Sequence, residues 1–234
     1  FAEYAAIDAS AIAKVPEYLS DEEAACVPLT ALTALQAFEL MHPKAGETVF
    51  ISGGTGSLGA MAIPVAKSFG LTVITNGNGA SEERVRKLGA DRFINYKKED
   101  YTKVLSDVDY VLDTLGDREL AKEFAILKKG GSLVSLRGLP NGEFATRSGM
   151  SFIKRMMFKI AGGKYDKMAA ANNQKYLFIF VHEDGAGLEK ISEIFMDSHI
   201  EASVDEVFDL DDVNKALKKV ASGGSRGKTV LKLV

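Results

Sequence analysis

Between Thr48 and Gly70 the chain reads TVFISGGTGSLGAMAIPVAKSFG, and no other stretch narrows the possible folds as much. Residues 48–52 are β-branched or apolar and suit a buried strand, and the run from Leu58 suits a helix closed by Gly70. Pro64 falls inside that helix and predicts a kink or a local break. Between the two, Gly54-Thr55-Gly56-Ser57-Leu58-Gly59 fits the pattern G-x-G-x-x-G. Alone, such a pattern is only turn punctuation. Placed after a strand and before a helix, it predicts a pyrophosphate cradle. The first glycine allows the tight turn, the second admits backbone N–H groups close to phosphate, and the third lets helix and strand pack. The helix N-terminus adds positive potential. A purely structural turn, or a site for another ligand such as S-adenosylmethionine, fits the same loop.

The alternation of strand and helix continues. Residues 71–75, 92–96, 110–114, 132–138 and 176–181 read as strands, and residues 81–89 and 118–131 read as helices with glycine stops. Upstream, residues 22–41 carry apolar side chains at helical spacing, with Pro28 near a helix start. Such alternation predicts an α/β fold with a doubly wound parallel sheet. The segment 140–172 is less regular, with one helix in SFIKRMMFKIAGG. Two amphipathic helices, 188–198 and 211–224, and a terminal strand, 228–234, complete the reading.

A chain of 234 residues with 46% hydrophobic content can build one large domain or two modest lobes. A net charge of −3 gives no electrostatic footprint for nucleic acid. No basic amphipathic stretch stands out as a membrane surface, and apolar runs such as 60–66 are too short to span a bilayer. The single cysteine, Cys26, excludes an internal disulfide and a cysteine-cluster zinc site. The expectation is a soluble protein of a reducing compartment, the cytoplasm. The sequence opens on Phe1 rather than Met, so its beginning is not read for targeting.

Cofactor choice is read where the second strand ends. A site for NAD places Asp or Glu there to hold the ribose 2′-hydroxyl. Here the stretch is TNGNGASEER, with Thr75, Asn76 and Asn78 where the acid would stand. No carboxylate repels a 2′-phosphate, Arg84 is the nearest cation, and Tyr96 ends the next strand. NADP(H) is therefore favoured over NAD(H), although Arg84 also fits an ordinary solvated helix face.

Taken in order, FAEYAAIDAS, PLTALTALQAF, AGETVFISGGTGSLGAMAIPVAK, LGADRFINY, VDYVLDTLG, LKKGGSLVSLRG and RGKTVLKLV resemble the medium-chain dehydrogenases/reductases. The resemblance covers nearly the whole chain and is strongest to the zinc-independent quinone oxidoreductase and enoyl reductase branch. It implies a Rossmann domain inserted in a GroES-like (chaperonin-10-related) catalytic lobe, of which this chain holds only part. Residues 1–27 would be a remnant of that lobe, 28–182 the Rossmann domain, and 183–234 the return to the lobe. The resemblance further implies that Thr33 sits beside the nicotinamide and that Gly54, Thr55, Gly56, Ser57, Leu58 and Gly59 form the pyrophosphate loop. Asn76, Arg84 and Tyr96 would surround the 2′-phosphate. Thr114, Leu136 and Gly138 would line the adenosine and nicotinamide side, and Phe180 and Val181 would meet the carboxamide. Ser225 and Arg226 would make a terminal cofactor contact. The resemblance also implies a homodimer, with the apolar strand 132–138 at the sheet edge.

Zinc-dependent relatives carry a cysteine a few residues before the threonine matched by Thr33. Leu29 stands at that place, Cys26 lies about one turn too early, and His42, His182 and His199 show no metal-ligand spacing. No zinc is expected. The implied reaction is hydride transfer from NADPH to a quinone or an α,β-unsaturated carbonyl, acceptors that need no Lewis-acid metal. No general acid is assigned; Ser135 and Tyr4 are polar without further support. A nucleotide-binding protein without turnover, or an inactive fragment of such an enzyme, fits the same residues.

Overall fold

The computed structural model describes residues 2, 4–223 and 227–233, so the expected contacts at Ser225 and Arg226 lie outside the described residues. A capping box at Ser20 opens the first helix, α1 (Asp21–Ala25). The Ser20 hydroxyl accepts the Glu23 N–H, and the Glu23 carboxylate accepts the Ser20 N–H. The expected single helix over 22–41 is in fact two. Pro28 starts α2 (Pro28–Met41) at its first position, where the missing N–H has no helical partner to lose.

Strands and helices then alternate as β1 (Thr48–Ile51), α3 (Ser57–Ser68), β2 (Thr72–Gly77), α4 (Glu82–Lys87), β3 (Arg92–Asn95), β4 (Val108–Asp113), α5 (Asp117–Ile126) and β5 (Leu127–Ser135). Three helices follow, α6 (Gly142–Arg147), α7 (Phe152–Ala161) and α8 (Gly163–Ala170), before β6 (Lys175–Phe178). The chain continues through α9 (Gly185–Ser198), β7 (Val204–Asp209), α10 (Val213–Ser222) and β8 (Lys228–Lys232).

Strands β1 to β6 form one parallel sheet in the order β3-β2-β1-β4-β5-β6. This is the doubly wound order, with the reversal between β1 and β4. The middles of its strands are apolar because both faces are covered. On one face Leu35 and Phe38 of α2, Ile63 and Val65 of α3, and Ile191 and Phe195 of α9 pack on Val49, Ile51, Val73 and Leu112. On the other, Leu120 and Phe124 of α5 and Tyr165 of α8 pack on Phe50, Val111 and Leu133. The expected division at residue 182 falls between β6 and α9, whose side chains share the first of these cores.

Several sequence expectations need correcting. Helix α3 runs unbroken through Pro64, whose lost hydrogen bond is outweighed by a helix buried along most of its length. The expected helix over 118–131 stops at Ile126, and residues 127–131 open β5 instead. There Lys128 bonds to Asp109 and pairs with Glu47, and a Cβ on Gly131 would stand 2.8 Å from the Asp109 carbonyl. These contacts hold the segment against β4, with a register shift between Val108 and Tyr110. The strand 132–138, expected at the sheet edge as a dimer contact, lies inside the sheet; β6 covers it and is itself the edge. Strand β7, with Asp205, Glu206 and Asp209, has too many acids to read as a strand, yet it pairs in parallel with β8.

Candidate functional site

The carboxyl ends of β1, β2, β3 and β4 surround a cavity of about 1080 Å³ at the point where the strand order reverses. Doubly wound sheets bind ligands at this place. The volume is slightly above the ~300–1,000 Å³ usual for small-molecule sites.

The loop leaving β1 is fixed by its neighbours. The Gly53 N–H donates to Asn76 Oδ1 at 2.7 Å, and the Gly56 N–H donates to the Gly53 carbonyl at 3.0 Å. Its glycines divide into two kinds. A methyl group on Gly54 would stand 1.9 Å from Thr75 Oγ1, and one on Gly59 would stand 2.5 Å from the Gly53 carbonyl oxygen. Close packing of strand, loop and helix therefore requires both glycines. At Gly56, φ is −77° and the nearest atom to an added methyl is the Gly53 carbonyl oxygen at 3.4 Å, an ordinary contact. Packing does not demand glycine at this position. It does leave open the space on the cavity side, where Gly56, Ser57, Leu58 and Gly59 form part of the wall. Helix α3 begins there with no side chain capping its first N–H groups. The loop is thus a packing turn at Gly54 and Gly59, while at Gly56 it borders the cavity at the uncapped start of α3.

Of the residues singled out in the sequence, Thr55, Gly56, Ser57, Leu58, Gly59, Asn76, Tyr96, Thr114 and Leu136 line the cavity. Asn76 is turned toward the loop by its bond to Gly53, and the Thr114 hydroxyl donates to the Ser52 carbonyl at 2.7 Å. Gly54 sits behind the loop against Thr75. Thr33, Arg84, Gly138, Phe180 and Val181 do not line the cavity. Thr33 is buried in α2, its hydroxyl donating to the Leu29 carbonyl at 2.6 Å. Arg84 reaches the outer side of the loop, donating to the Thr55 carbonyl at 2.5 Å and to Ser203 Oγ at 3.2 Å. The Gly138 N–H is held by Ser135 Oγ at 2.8 Å. The expected strand over 176–181 ends at Phe178; Phe180 is exposed, and Val181 packs against the core.

Sequence reasoning missed two sets of residues. The first is cationic: Lys97, Lys98, Lys103 and Lys122 line the cavity beyond Tyr96, together with Glu99, Asp100 and Glu119. The KK pair after the third strand was the available signal. The second lies beneath the floor. Asp113, fully buried at the end of β4, accepts Ser135 Oγ at 2.5 Å, the Leu115 N–H at 2.8 Å and the Gly116 N–H at 2.7 Å. It fixes the loop that carries Thr114 and Leu115 into the cavity wall. Glu123 of α5 is also fully buried, and neither carboxylate oxygen has a hydrogen-bond partner. Burial holds its carboxyl well above the usual range and the charge of Asp113 adds to this, while the nearby Ser52 hydroxyl acts the other way. Tyr101 next to it donates to Glu119 Oε2 at 3.0 Å; burial and then the charges of Glu123 and Glu119 raise its phenol.

The described residues offer no zinc donor set. No three His, Cys, Asp or Glu side chains come together among them. Cys26 is buried with its thiol donating to the Glu22 carbonyl at 3.3 Å, and burial raises that thiol; Leu29 is exposed.

Residues 88–231 match the family model described as zinc-binding dehydrogenase. A 2-methylene-furan-3-one reductase from Solanum lycopersicum is 32% identical over 168 residues, covering 70% of this chain and 43% of that protein. The quinone oxidoreductase from Coxiella burnetii superposes with a TM-score of 0.76 at 27% identity, over 93% of this chain and 62% of its own. The quinone oxidoreductase from Thermus thermophilus, whose structure is also known in complex with NADPH, gives 0.69 at 25% identity, over 94% and 68%. The chain spans less than two thirds of the tomato and Coxiella proteins. Among the described residues no helix is long and apolar enough to cross a membrane. The doubly wound sheet, the glycine loop at its switch point and a family model matched over more than half the chain lead to one assignment. The chain belongs to the zinc-binding dehydrogenase family, within the medium-chain dehydrogenase/reductase superfamily.

Proposed function

We propose that the protein is an oxidoreductase that binds NADPH in the cavity at the switch point and reduces a quinone or an α,β-unsaturated carbonyl. The observation that carries this reading is Gly56. Packing does not demand glycine there, yet the position borders the cavity at the uncapped start of α3. Backbone N–H groups of Ser57 and Leu58 would hold the pyrophosphate, with the α3 N-terminus favouring its charge. The relatives named as quinone oxidoreductases and as an enone-type reductase support the substrate class.

The 2′-phosphate would be met by Tyr96, Lys97 and Lys98 rather than by Arg84. Tyr96 is exposed and lines the cavity with both lysines, while Arg84 is engaged with the outer side of the loop. Arg84 acts instead as a brace, fixing the Thr55 carbonyl and with it the turn that leads into α3. Asn76, bound to Gly53, brings no negative charge to this end. The bound nicotinamide supplies the hydride. The chain's own part is to fix the cofactor through the loop, hold the β4 and β5 ends around it through Asp113 and Ser135, and exclude water.

Titration with NADPH and NADH, followed by nicotinamide fluorescence, tests the cofactor. NADPH oxidation by a model quinone and by an enone tests the reaction. The expected result is tighter binding of NADPH and turnover with at least one acceptor class. Binding without turnover would leave a nucleotide-binding protein and remove the oxidoreductase reading.

A further inference from the structure

Helix α7 is built inside out. Phe152, Ile153, Met157 and Ile160 are 77%, 72%, 64% and 79% exposed, Met156 is 44% exposed, and no residue of the helix is buried. At about 100° per residue these five side chains fall within an arc of about 140°. The opposite side is the one attached to the protein. There Phe158 stands edge-on to Phe144 at 6.2 Å, and Arg155 Nε donates to the Met150 carbonyl at 2.7 Å. The apolar arc is therefore held outward by the fold. A contiguous patch of this kind marks an interaction surface.

The charge around the patch indicates what covers it. On the same angular spacing, Lys154 and Lys159 flank the arc on its two sides. From residue 147 to 167 the chain carries Arg147, Lys154, Arg155, Lys159, Lys164 and Lys167 against the single acid Asp166, in a protein of net charge −3. Arg147 pairs with Glu143 and Lys164 with Asp117, whereas Lys154 and Lys159 have no ion-pair partner among the described residues. Beside Met156 a cleft of about 520 Å³ is lined by Arg147, Arg155 and Lys159, with Glu143 and Asp166. An apolar arc between unpaired lysines suits the boundary of an anionic bilayer, where the apolar side chains enter the acyl region and the lysine heads stay at the phosphates. A second copy suits it less, because a twofold contact would set each basic rim against its equal.

We infer that α7 is an interfacial helix that docks the protein on an anionic lipid surface. It departs from the sequence expectation of no membrane contact, which read SFIKRMMFKIAGG only as a helix. The inference stands apart from the cofactor and substrate assignments.

Flotation of the full protein with vesicles of phosphatidylcholine containing phosphatidylglycerol, against phosphatidylcholine alone, tests it. Wild type is expected to float with the anionic vesicles at least tenfold more than with the neutral ones. The double variant Ile153→Glu/Ile160→Glu should lose that binding at least tenfold with an unchanged thermal melt, because both side chains are already in water. Lys154→Glu/Lys159→Glu should lose the preference for anionic lipid. Recovery with neither vesicle, or equal recovery with both, would overturn the inference. So would an apparent mass in solution that halves in Ile153→Glu/Ile160→Glu, which would make the face a contact between two copies.

Discussion

Helices α3 and α7 are both apolar, are separated by fewer than a hundred residues and start without a side-chain cap, yet they meet opposite fates. In α3, residues from Gly59 to Ala66 are buried between β1 and α2; in α7, nothing is buried. Apolar side chains make up much of both, although α7 carries Lys154, Arg155 and Lys159 where α3 carries only Lys67. Position adds to that difference. Helix α3 crosses over between two neighbouring strands of the parallel sheet, so the sheet face receives it. Helix α7 sits in an excursion between β5 and β6 and touches the body through α6 and α8, with its apolar arc turned away. Both connections cross over between neighbouring parallel strands, but between β5 and β6 it is α8, through Tyr165, that meets the sheet, which leaves α7 outside.

The comparison can be broken by one substitution made twice. Ile63→Ala in α3 removes a fully buried side chain and is expected to destabilise the fold by ~2–4 kcal/mol in urea denaturation. The same change at Ile160 in α7 should fall within about 0.5 kcal/mol of wild type, the smallest effect expected here. If both changes cost the same, the difference between the helices is not one of burial.

Between those extremes, Gly56→Ala probes the start of α3 for function alone. The backbone angle suits alanine and no contact is forced, so stability should stay near wild type. NADPH affinity should drop by about tenfold or more, ~1.4 kcal/mol or above, because the methyl occupies the place of a phosphate oxygen. Equal loss of stability and affinity would make Gly56 another packing glycine like Gly54 and Gly59.

Glu123→Gln gives a pH-dependent difference. The buried carboxyl is raised above its ordinary value of 4.5, so well below that pH it is neutral in both folded and unfolded chains. As pH rises, the unfolded chain ionises there first, and the stability contributed by the neutral buried form is lost up to the folded-state value. Glutamine does not titrate. The variant's stability relative to wild type should therefore increase from pH 4.5 toward pH 8, read from urea melts at both ends; a flat difference would show that Glu123 ionises normally. A smaller effect is expected for Lys97→Ala/Lys98→Ala. NADPH affinity should fall several-fold, about 1 kcal/mol, and NADH affinity should hold, because a solvent-exposed charge pair contributes little more than this.

Much of the scaffold was readable. β-branched runs, glycine stops and the strand–glycines–helix unit placed the sheet strands to within a few residues, since those signals act locally. The end of α5 was not readable, because Lys128 and Gly131 become strand through their partners Asp109 and Glu47, distant in sequence. The cavity was half readable. The loop, Tyr96, Thr114 and Leu136, all singled out in the sequence, line it, while Arg84 turns to the outside of the loop and Lys97 and Lys98 take the open side.

The sequence alone determined the α/β alternation, the glycine loop and the lack of an acid at the end of the second strand, because each depends on residues close together in the chain. Tertiary structure decided which glycine packs and which leaves room, which cation faces the cavity, that a carboxyl at Glu123 lies buried without a partner, and that α7 shows its apolar side to solvent. Each of these depends on what lies across space from a residue. Neither spacing nor composition encodes that neighbour until the sheet has set the distances.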